Sequence, residues 1–229
     1  MMDTFYALAT PPGSAALAVV RVSGPAVPTL IQEIFGKEPK VENFRKAVLG
    51  YYRSVSGGKV DQVLFTHFPA ESSYTGRELL EISAHGNLFL VEQILEDLDA
   101  RGCRMAEPGE FTRTAFLEGR MDLSQAEAVA DLISARSAAA LEAAHRQLSG
   151  GLGDEIQARV DEILTLRAHV EAFIDFPEED LPSESEEGPI ASVDQILARL
   201  EAMLSTGRQR ELLHRGIRTV LLGAVNAGK

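Results

Sequence analysis

The sequence of 229 residues has a single cysteine, Cys103, and no long apolar run. Because one cysteine has no partner in the chain, an intrachain disulfide framework is excluded. No segment approaches the roughly 18 apolar residues that a membrane-spanning helix needs. The first residues lack a basic segment followed by an apolar one, so we expect no secretory signal. These absences predict a cytoplasmic protein in a reducing compartment, with no membrane contact.

Basic side chains are also scarce, since 22 Lys and Arg stand against 34 Asp and Glu, for a net charge of −12. A nucleic-acid backbone attracts the opposite sign, so this balance disfavours a simple nucleic-acid-binding module. The acidity is uneven: residues 1–120 carry 12 basic and 15 acidic side chains, whereas residues 121–229 carry 10 and 19. The segment 171–187 has eight acids and no base, which predicts a solvated loop.

Residues 1–120 alternate between strand and helix patterns, and the mixture predicts an α+β domain. Pro25 is placed where the first helix could start, and residues 56–59 are typical of a hairpin turn. Strands are predicted at 4–10, 16–24, 46–55, 60–68 and 78–85, and helices over 27–35 and 88–102.

The second part of the chain reads as long amphipathic helices over 123–148, 152–174 and 190–213. Ser124 and Glu127 have the spacing of a capping box at the first of them. Because each helix presents an apolar stripe that needs a partner, the pattern predicts an all-α bundle. An apolar segment at 217–223 predicts a buried strand.

A phosphate-loop pattern, GxxxxGK, follows that strand at residues 223–229. Its glycines let backbone N–H groups face phosphate oxygens, and the lysine adds a charge at the outer phosphates. An ordinary glycine loop is the alternative, but the preceding strand favours nucleotide binding. The sequence stops before the Ser or Thr that would hold Mg²⁺, so we expect these residues alone to be no competent NTPase.

Glu81 is a candidate binding residue because it alternates with apolar neighbours on a half-buried strand. A carboxylate there can accept hydrogen bonds from the amino and ring N–H groups of a pterin or guanine. From spacing alone, a solvent-facing glutamate is the favoured alternative. His85-Gly86 is interpreted as a turn before the next helix, and the five histidines lack metal-ligand spacing. Cys103 is interpreted as a small buried residue.

Arg21 lies between two valines of a core-like strand, where an arginine needs a partner or an anionic ligand. An edge-strand arginine that faces water is an equally good explanation. Arg120 follows Gly119 at the junction between the two parts of the chain. Alone, it is more often a solvated charge, but its position leaves it available to a ligand.

Six stretches together resemble the MnmE family of tRNA modification GTPases, also called TrmE: residues 7–13, 19–24, 74–87, 107–133, 171–180 and 221–229. The resemblance implies a tetrahydrofolate-binding and dimerisation domain at 1–118, similar to the glycine-cleavage aminomethyltransferase. An incomplete helical domain follows at 119–215. Residues 216–229 correspond to the first strand and phosphate loop of an α/β GTPase domain.

The family implies a tRNA-modifying enzyme that hydrolyses GTP with K⁺ and Mg²⁺. It works as a homodimer with the FAD-dependent protein MnmG, in a heterotetramer that modifies C5 of the wobble uridine of certain tRNAs. Its one-carbon donor is 5-formyl- or 5,10-methylene-tetrahydrofolate. Within these residues the resemblance therefore implies folate binding and dimerisation rather than a complete catalytic centre.

Three residues match the folate-contacting positions of the family: Arg21, Glu81 and Arg120. Arg120 stands where other members carry Lys, which keeps the charge but changes its geometry. Arg77 belongs to a Gly-Arg-Glu that replaces Gly-Glu-Asp, and no role is transferred to it. The residues that match the GTP-binding loop are Asn226, Ala227, Gly228 and Lys229, and the family uses the residue at Asn226 for K⁺.

Two other functions remain open from the sequence. The first is a self-sufficient folate-dependent one-carbon transferase, although no acid or base stands out for it. The second is a helical dimerisation scaffold whose folate site has lost its function. Binding of 5-formyltetrahydrofolate distinguishes the scaffold, and turnover without a partner distinguishes the transferase.

Overall fold

The computed structural model describes residues 3–37, 41–175, 187–215, 220, 222 and 223. The chain divides into two compact units, Met1–Met121 and Asp122–Lys229. The first contains a mixed sheet with helices, and the described part of the second is helical. The predicted order of an α+β domain followed by an all-α domain is thus confirmed.

Little of the predicted GTPase start, 216–229, falls within the described residues. Val220 and Leu222 are 74% and 91% exposed and belong to no strand. At these positions the prediction of a buried strand over 217–223 is wrong. Without neighbouring strands among the described residues, an apolar pattern has nothing to pair with.

A six-stranded sheet forms the centre of the described part of the first unit. Its strands are β1 Phe5–Leu8, β2 Ala15–Ser23, β3 Val48–Arg53, β4 Lys59–Phe68, β5 Leu79–Gly86 and β6 Arg104–Met105. Their order is β3-β4-β5-β2-β1-β6. Neighbouring strands are antiparallel except β1 and β6, which are parallel. β2 and β5, which carry two of the candidate residues, are therefore interior strands.

One face of this sheet packs against helices α1 Val27–Phe35 and α2 Leu88–Ala100. The alternation of β2 and β5 places every second side chain in this core, and each fully buried aliphatic side chain contributes about 1.5–3 kcal/mol. Helix α1 begins at Val27 rather than at Pro25, with a proline in its first turn, and ends at Gly36 in the left-handed region. The fully buried strand side chains include Val20, Val22, Leu80 and Ile82.

Cys103 lies in the same core and is 6% exposed. Desolvation raises the pKa of its thiol to about 11. The prediction of a small buried residue is confirmed, and the thiol is not a nucleophile at neutral pH.

In the second unit, the predicted single helix over 123–148 is wrong. The structure has two helices, α4 Leu123–Ser134 and α5 Ala138–Leu148, because Ser137 caps a new helix by accepting a hydrogen bond from Ala140 N. The two helices form a hairpin, tied at its open end by Gln147 Nε2, which donates to Ser124 O at 2.9 Å. The buried side chains of the hairpin are small, namely Ala128, Ala140, Ala143 and Ala144.

The capping box of α4 is present, but Asp122 forms it rather than Ser124. The Asp122 carboxylate accepts from Gln125 N, and the Gln125 side chain accepts from Asp122 N. The backbone hydrogen bond from Gln125 and the hydroxyl of Ser124 lower the pKa of Asp122. The other two predicted helices are confirmed as α6 Gly151–Asp175 and α7 Glu187–Arg215.

Among the described residues, no helix combines the length and the apolar character needed to cross a bilayer.

Candidate functional site

Arg21 and Glu81 form an ion pair between two neighbouring strands. They stand opposite each other in the register of β2 and β5, and Arg21 Nε donates to Glu81 Oε1 at 2.7 Å. Their side chains are 39% and 26% exposed. Since β2 is an interior strand, the explanation of Arg21 as an edge-strand residue is wrong. The arginine has the partner that its position demanded, and the pair still faces solvent.

The pair lies on the sheet face opposite α1 and α2, which we call the open face. Strand register places Thr66 beside Glu81 and Ala7 beside Arg21, in one row across four strands. Along β2 and β5, Val19 and Ser83 form the next row. The open face is thus a platform with a paired charge at its middle, flanked by small and polar side chains. Its exposed apolar side chains include Leu17, Leu49, Tyr51 and Leu64.

One end of the open face is covered by helix α3, Glu110–Leu117, and by the loop 73–78 that precedes β5. The ring of Phe111 meets that of Phe5 edge-on, with centroids 4.9 Å apart. Ser23 and Thr75 are fully buried, and their hydroxyl oxygens are 2.8 Å apart. The loop and the helix therefore form a wall that meets β2 at Ser23. Ser23 is two residues along the strand from Arg21, a distance of about 7 Å.

Arg120 is held at the top of this wall by the end of α3. Gly119 has φ +69, and the hydrogen bonds from Gly119 N to Phe116 O and from Arg120 N to Ala115 O form a Schellman motif. Arg120 is exposed, and its guanidinium forms no ion pair with the residues that the structure describes. It is a fixed backbone position that presents a free cation.

Gly76 joins Arg120 to the rest of the site. It has φ +75, and an added Cβ would lie 2.7 Å from Glu118 Cβ and 3.1 Å from Arg120 Cγ. A chain of contacts thus runs from Arg21 along β2 to Ser23, across to Thr75, and on through Gly76 to Arg120. The structure brings the three predicted folate residues into one unit, with no direct contact between Arg120 and the Arg21–Glu81 pair.

The chemistry of this arrangement suits a ligand with both hydrogen-bond donors and an anionic group. Glu81 Oε1 is occupied by Arg21, while Oε2 has no hydrogen-bond partner among the described residues. A carboxylate is a strong acceptor, and the guanidinium of Arg120, which is unpaired among the described residues, is a strong donor. The described residues contain no cluster of three His, Cys, Asp or Glu that could hold a metal ion.

His85 is not in a turn as predicted, because β5 continues through Gly86 and Asn87 caps α2. The backbone N–H of His85 donates to Asp61 Oδ2, and its Nδ1 lies 2.9 Å from Asp61 Oδ1. The turn signal of His-Gly was outweighed by strand pairing with β2, where Leu17 lies opposite His85 and Ala15 opposite Gly86.

Sequence reasoning missed the residues that build the wall around the site. Ser23, Thr75 and Glu118 were given no role, although Thr75 precedes a glycine whose positive φ marks a close approach. Tyr74 was also missed, and its hydroxyl lies 2.9 Å from Thr112 Oγ1 on α3. The signal was the run of hydroxyl residues at 72–75 before a strand, but its partners are distant in sequence.

Two family models match the chain. Residues 4–120 match "GTP-binding protein TrmE N-terminus", and residues 123–222 match "MnmE helical domain". The tRNA modification GTPase MnmE of Opitutus terrae is 48% identical over 227 residues, which are 99% of this chain and 50% of that protein. The protein of the same name from Akkermansia muciniphila is 42% identical over an alignment of 230 positions, which covers 99% of this chain and 51% of that protein. The chain thus spans about half the length of these curated relatives.

The predicted GTP-binding residues Asn226, Ala227, Gly228 and Lys229 lie outside the described residues, as does the K⁺ position predicted at Asn226.

Proposed function

Because the chain belongs to the MnmE family of tRNA modification GTPases, we propose that it supplies the folate-binding and helical parts of such an enzyme. The whole protein hydrolyses GTP and, with the FAD-dependent partner MnmG, modifies C5 of the wobble uridine of certain tRNAs. The observation that carries the folate assignment is the Arg21–Glu81 pair on the open face, which is linked through Ser23, Thr75 and Gly76 to the exposed Arg120.

The residues of this site fit a tetrahydrofolate. The pterin presents amino and ring N–H donors, which a paired carboxylate accepts, and the glutamate end presents carboxylates, which a guanidinium binds. We assign Glu81 to the pterin, Arg21 to orienting Glu81 through its hydrogen bond, and Arg120 to a carboxylate of the glutamate end. The bound folate, as its 5-formyl or 5,10-methylene form, supplies the one-carbon unit.

Dimerisation through the first unit is the second part of the proposal. It is supported by the apolar side chains that the open face leaves in solvent, among them Leu49 at 58% and Leu64 at 45% exposed. These two residues stand opposite each other on β3 and β4, so they form one continuous apolar patch. A second copy of the chain would remove this patch from water.

The GTP cycle is proposed from family membership and from the phosphate-loop pattern at 223–229. Asn226 would bind K⁺, and Gly228 and Lys229 would contact the phosphates, with Mg²⁺ held by the whole protein. Binding of tRNA is assigned to the complex with MnmG in a heterotetramer, because the net charge of −12 opposes an unaided contact with a phosphate backbone. We propose the cytoplasm as the site of this activity.

Titration of the purified chain with 5-formyltetrahydrofolate tests the folate assignment. We expect the wild type to bind, and Arg21→Ala or Glu81→Ala to lose about thirtyfold in affinity, because each loses a charged hydrogen-bond partner worth about 2 kcal/mol. Asp61→Ala is a control, since Asp61 carries a carboxylate on the neighbouring strand and is paired with His85. If both site variants bind as tightly as the wild type, the assignment is wrong.

The same titration tests the scaffold function, and a turnover assay tests the transferase function. A scaffold with a lost folate site gives no heat with 5-formyltetrahydrofolate in any variant. A self-sufficient one-carbon transferase consumes methylene-tetrahydrofolate in the presence of tRNA and an amine without MnmG. We expect binding by the chain alone, and no such turnover.

A further inference from the structure

The loop 73–78 and the C-terminal end of α3 are joined by an ion pair that no local sequence pattern predicts. Arg77 Nε donates to Glu118 Oε1 at 2.7 Å, across 41 residues of sequence. The two side chains are only 22% and 31% exposed, so the pair is packed rather than free on the surface.

From this geometry we propose that the Arg77–Glu118 pair is a positioning clasp for Arg120. The inference rests on the proposed folate site and adds two residues that act on it without touching the ligand. Arg77 is next to Gly76, which leaves no room for a side chain, because an added Cβ would be too close to Glu118 Cβ and Arg120 Cγ. The clasp therefore fixes Arg77 and Glu118, which lie on either side of the contact between Gly76 and Arg120.

The backbone of α3 limits how Arg120 can move once the clasp is closed. Glu118 N donates to Thr114 O, and Arg120 N donates to Ala115 O at 2.8 Å. The peptide between them is set by Gly119 at φ +69. Holding Glu118 against the loop thus restricts the direction in which the Arg120 side chain leaves the helix end.

The opposite end of the loop is already anchored to the sheet. Thr75 is fully buried and its hydroxyl lies against Ser23, two residues from Arg21 on the same face of β2. The clasp then ties the part of the loop that follows Gly76 to Glu118. The anchored loop and the clasp together hold Arg120 at a fixed distance from the Arg21–Glu81 pair. A ligand that contacts both requires such a fixed distance.

The test is a mutant cycle on affinity for 5-formyltetrahydrofolate, with the wild-type chain measured first. Arg77→Gln and Glu118→Gln should each weaken binding two- to fivefold, the range of a partly exposed ion pair. Arg120→Gln should weaken it more. In the Arg120→Gln background, Arg77→Gln should cause no further loss, because the clasp acts through Arg120. The charge-reversed double variant Arg77→Glu with Glu118→Arg should recover most of the affinity.

Arg113→Gln is the control, since it removes the ion pairs of an exposed arginine of α3 with Glu107 and Glu110, and it should leave affinity unchanged. Amide exchange of residues 74–78, measured without ligand, reports the clasp separately from the folate site: exchange should rise in Arg77→Gln. Three results would each overturn the clasp. They are wild-type affinity in Arg77→Gln, a further loss of affinity when Arg77→Gln is added to Arg120→Gln, and unaltered amide exchange of residues 74–78 in Arg77→Gln. If the wild type binds no folate while exchange rises in Arg77→Gln, the proposed function fails and the clasp loses its ligand role.

Discussion

Arg21 and Glu81 lie opposite each other on two interior strands, and Arg21 Nε is 2.7 Å from Glu81 Oε1. An unpaired charge that is largely removed from water on an interior strand is costly, because it loses its hydration without gaining a partner. Here each charge has its counter-ion, and the second carboxylate oxygen of Glu81 has no hydrogen-bond partner among the described residues. A pair of this kind keeps a strong acceptor in a fixed place for a ligand.

We expect the pair to matter more for binding than for folding. Glu81→Gln should lower the free energy of unfolding by less than about 1 kcal/mol, because the pair is partly exposed and glutamine keeps the shape. Urea denaturation followed by circular dichroism measures this change. A loss of several kcal/mol would make the pair a structural element of the sheet instead.

Gly76→Ala should destabilise the first unit and weaken folate binding together. The residue has φ +75, and its new Cβ would overlap Glu118 Cβ at 2.7 Å. Gly57→Ala is the matched control, since Gly57 has φ +86 and nothing within 4 Å of an added Cβ. Thermal or urea unfolding should show that Gly57→Ala costs about 1–2 kcal/mol for backbone strain alone.

For Gly76→Ala, overlap should add at least about 1 kcal/mol to that strain. Equal losses in the two variants would mean that the loop can move away from α3 without cost, and that Gly76 does not fix Arg120.

The α+β class, the strand positions and the two long helices could be read from apolar periodicity, because each element buries a face whose pattern is local. The break at Ser137 and the cap at Asp122 were missed, although both follow local capping patterns: Gln125 stands three residues after Asp122, and Ser137 accepts from Ala140 N. Of the site, Arg21 and Glu81 stood out as charges among apolar neighbours. Their pairing, and the approach of Glu118 to Arg77, depend on strand register and on chain reversal, which no local pattern encodes.

Asp122→Ala should destabilise α4 by about 1 kcal/mol, because Asp122 accepts from the N–H of Gln125 in the capping box. Ser124→Ala should cost clearly less, since the Ser124 hydroxyl only donates to Asp122 Oδ1. Amide exchange at the first turn of α4 measures both. A larger effect of Ser124→Ala than of Asp122→Ala would mean that Ser124 is the capping residue.

Acid should destabilise the first unit through Glu110. The carboxylate is 4% exposed and accepts from Arg104 Nη1 and from Glu107 N, both at 2.8 Å. Hydrogen bonding to Arg104 lowers the pKa of Glu110 below its ordinary value of 4.5. A carboxyl with a depressed folded-state pKa adds stability above the ordinary value, and this stability is lost as the pH falls from 4.5 through the lower pKa.

In Glu110→Gln, stability at neutral pH should drop and the fall below pH 4.5 should flatten. Glu107→Gln, at a side chain 68% exposed, is the control. Melting temperatures measured between pH 7 and pH 3 give the comparison. The contribution of Glu110 to the pH dependence of the unfolding free energy corresponds to about one proton or less. Parallel acid losses in wild type and Glu110→Gln would exclude Glu110 as the titrating group.

The proposed function requires that Arg21, Glu81 and Arg120 form one folate site on the open face. A crystal structure of the chain with bound 5-formyltetrahydrofolate tests this requirement. We predict that the pterin lies against Glu81 and that a carboxylate of the glutamate end lies within hydrogen-bonding distance of Arg120. A folate bound elsewhere on the chain, with the Arg21–Glu81 pair untouched, would contradict it.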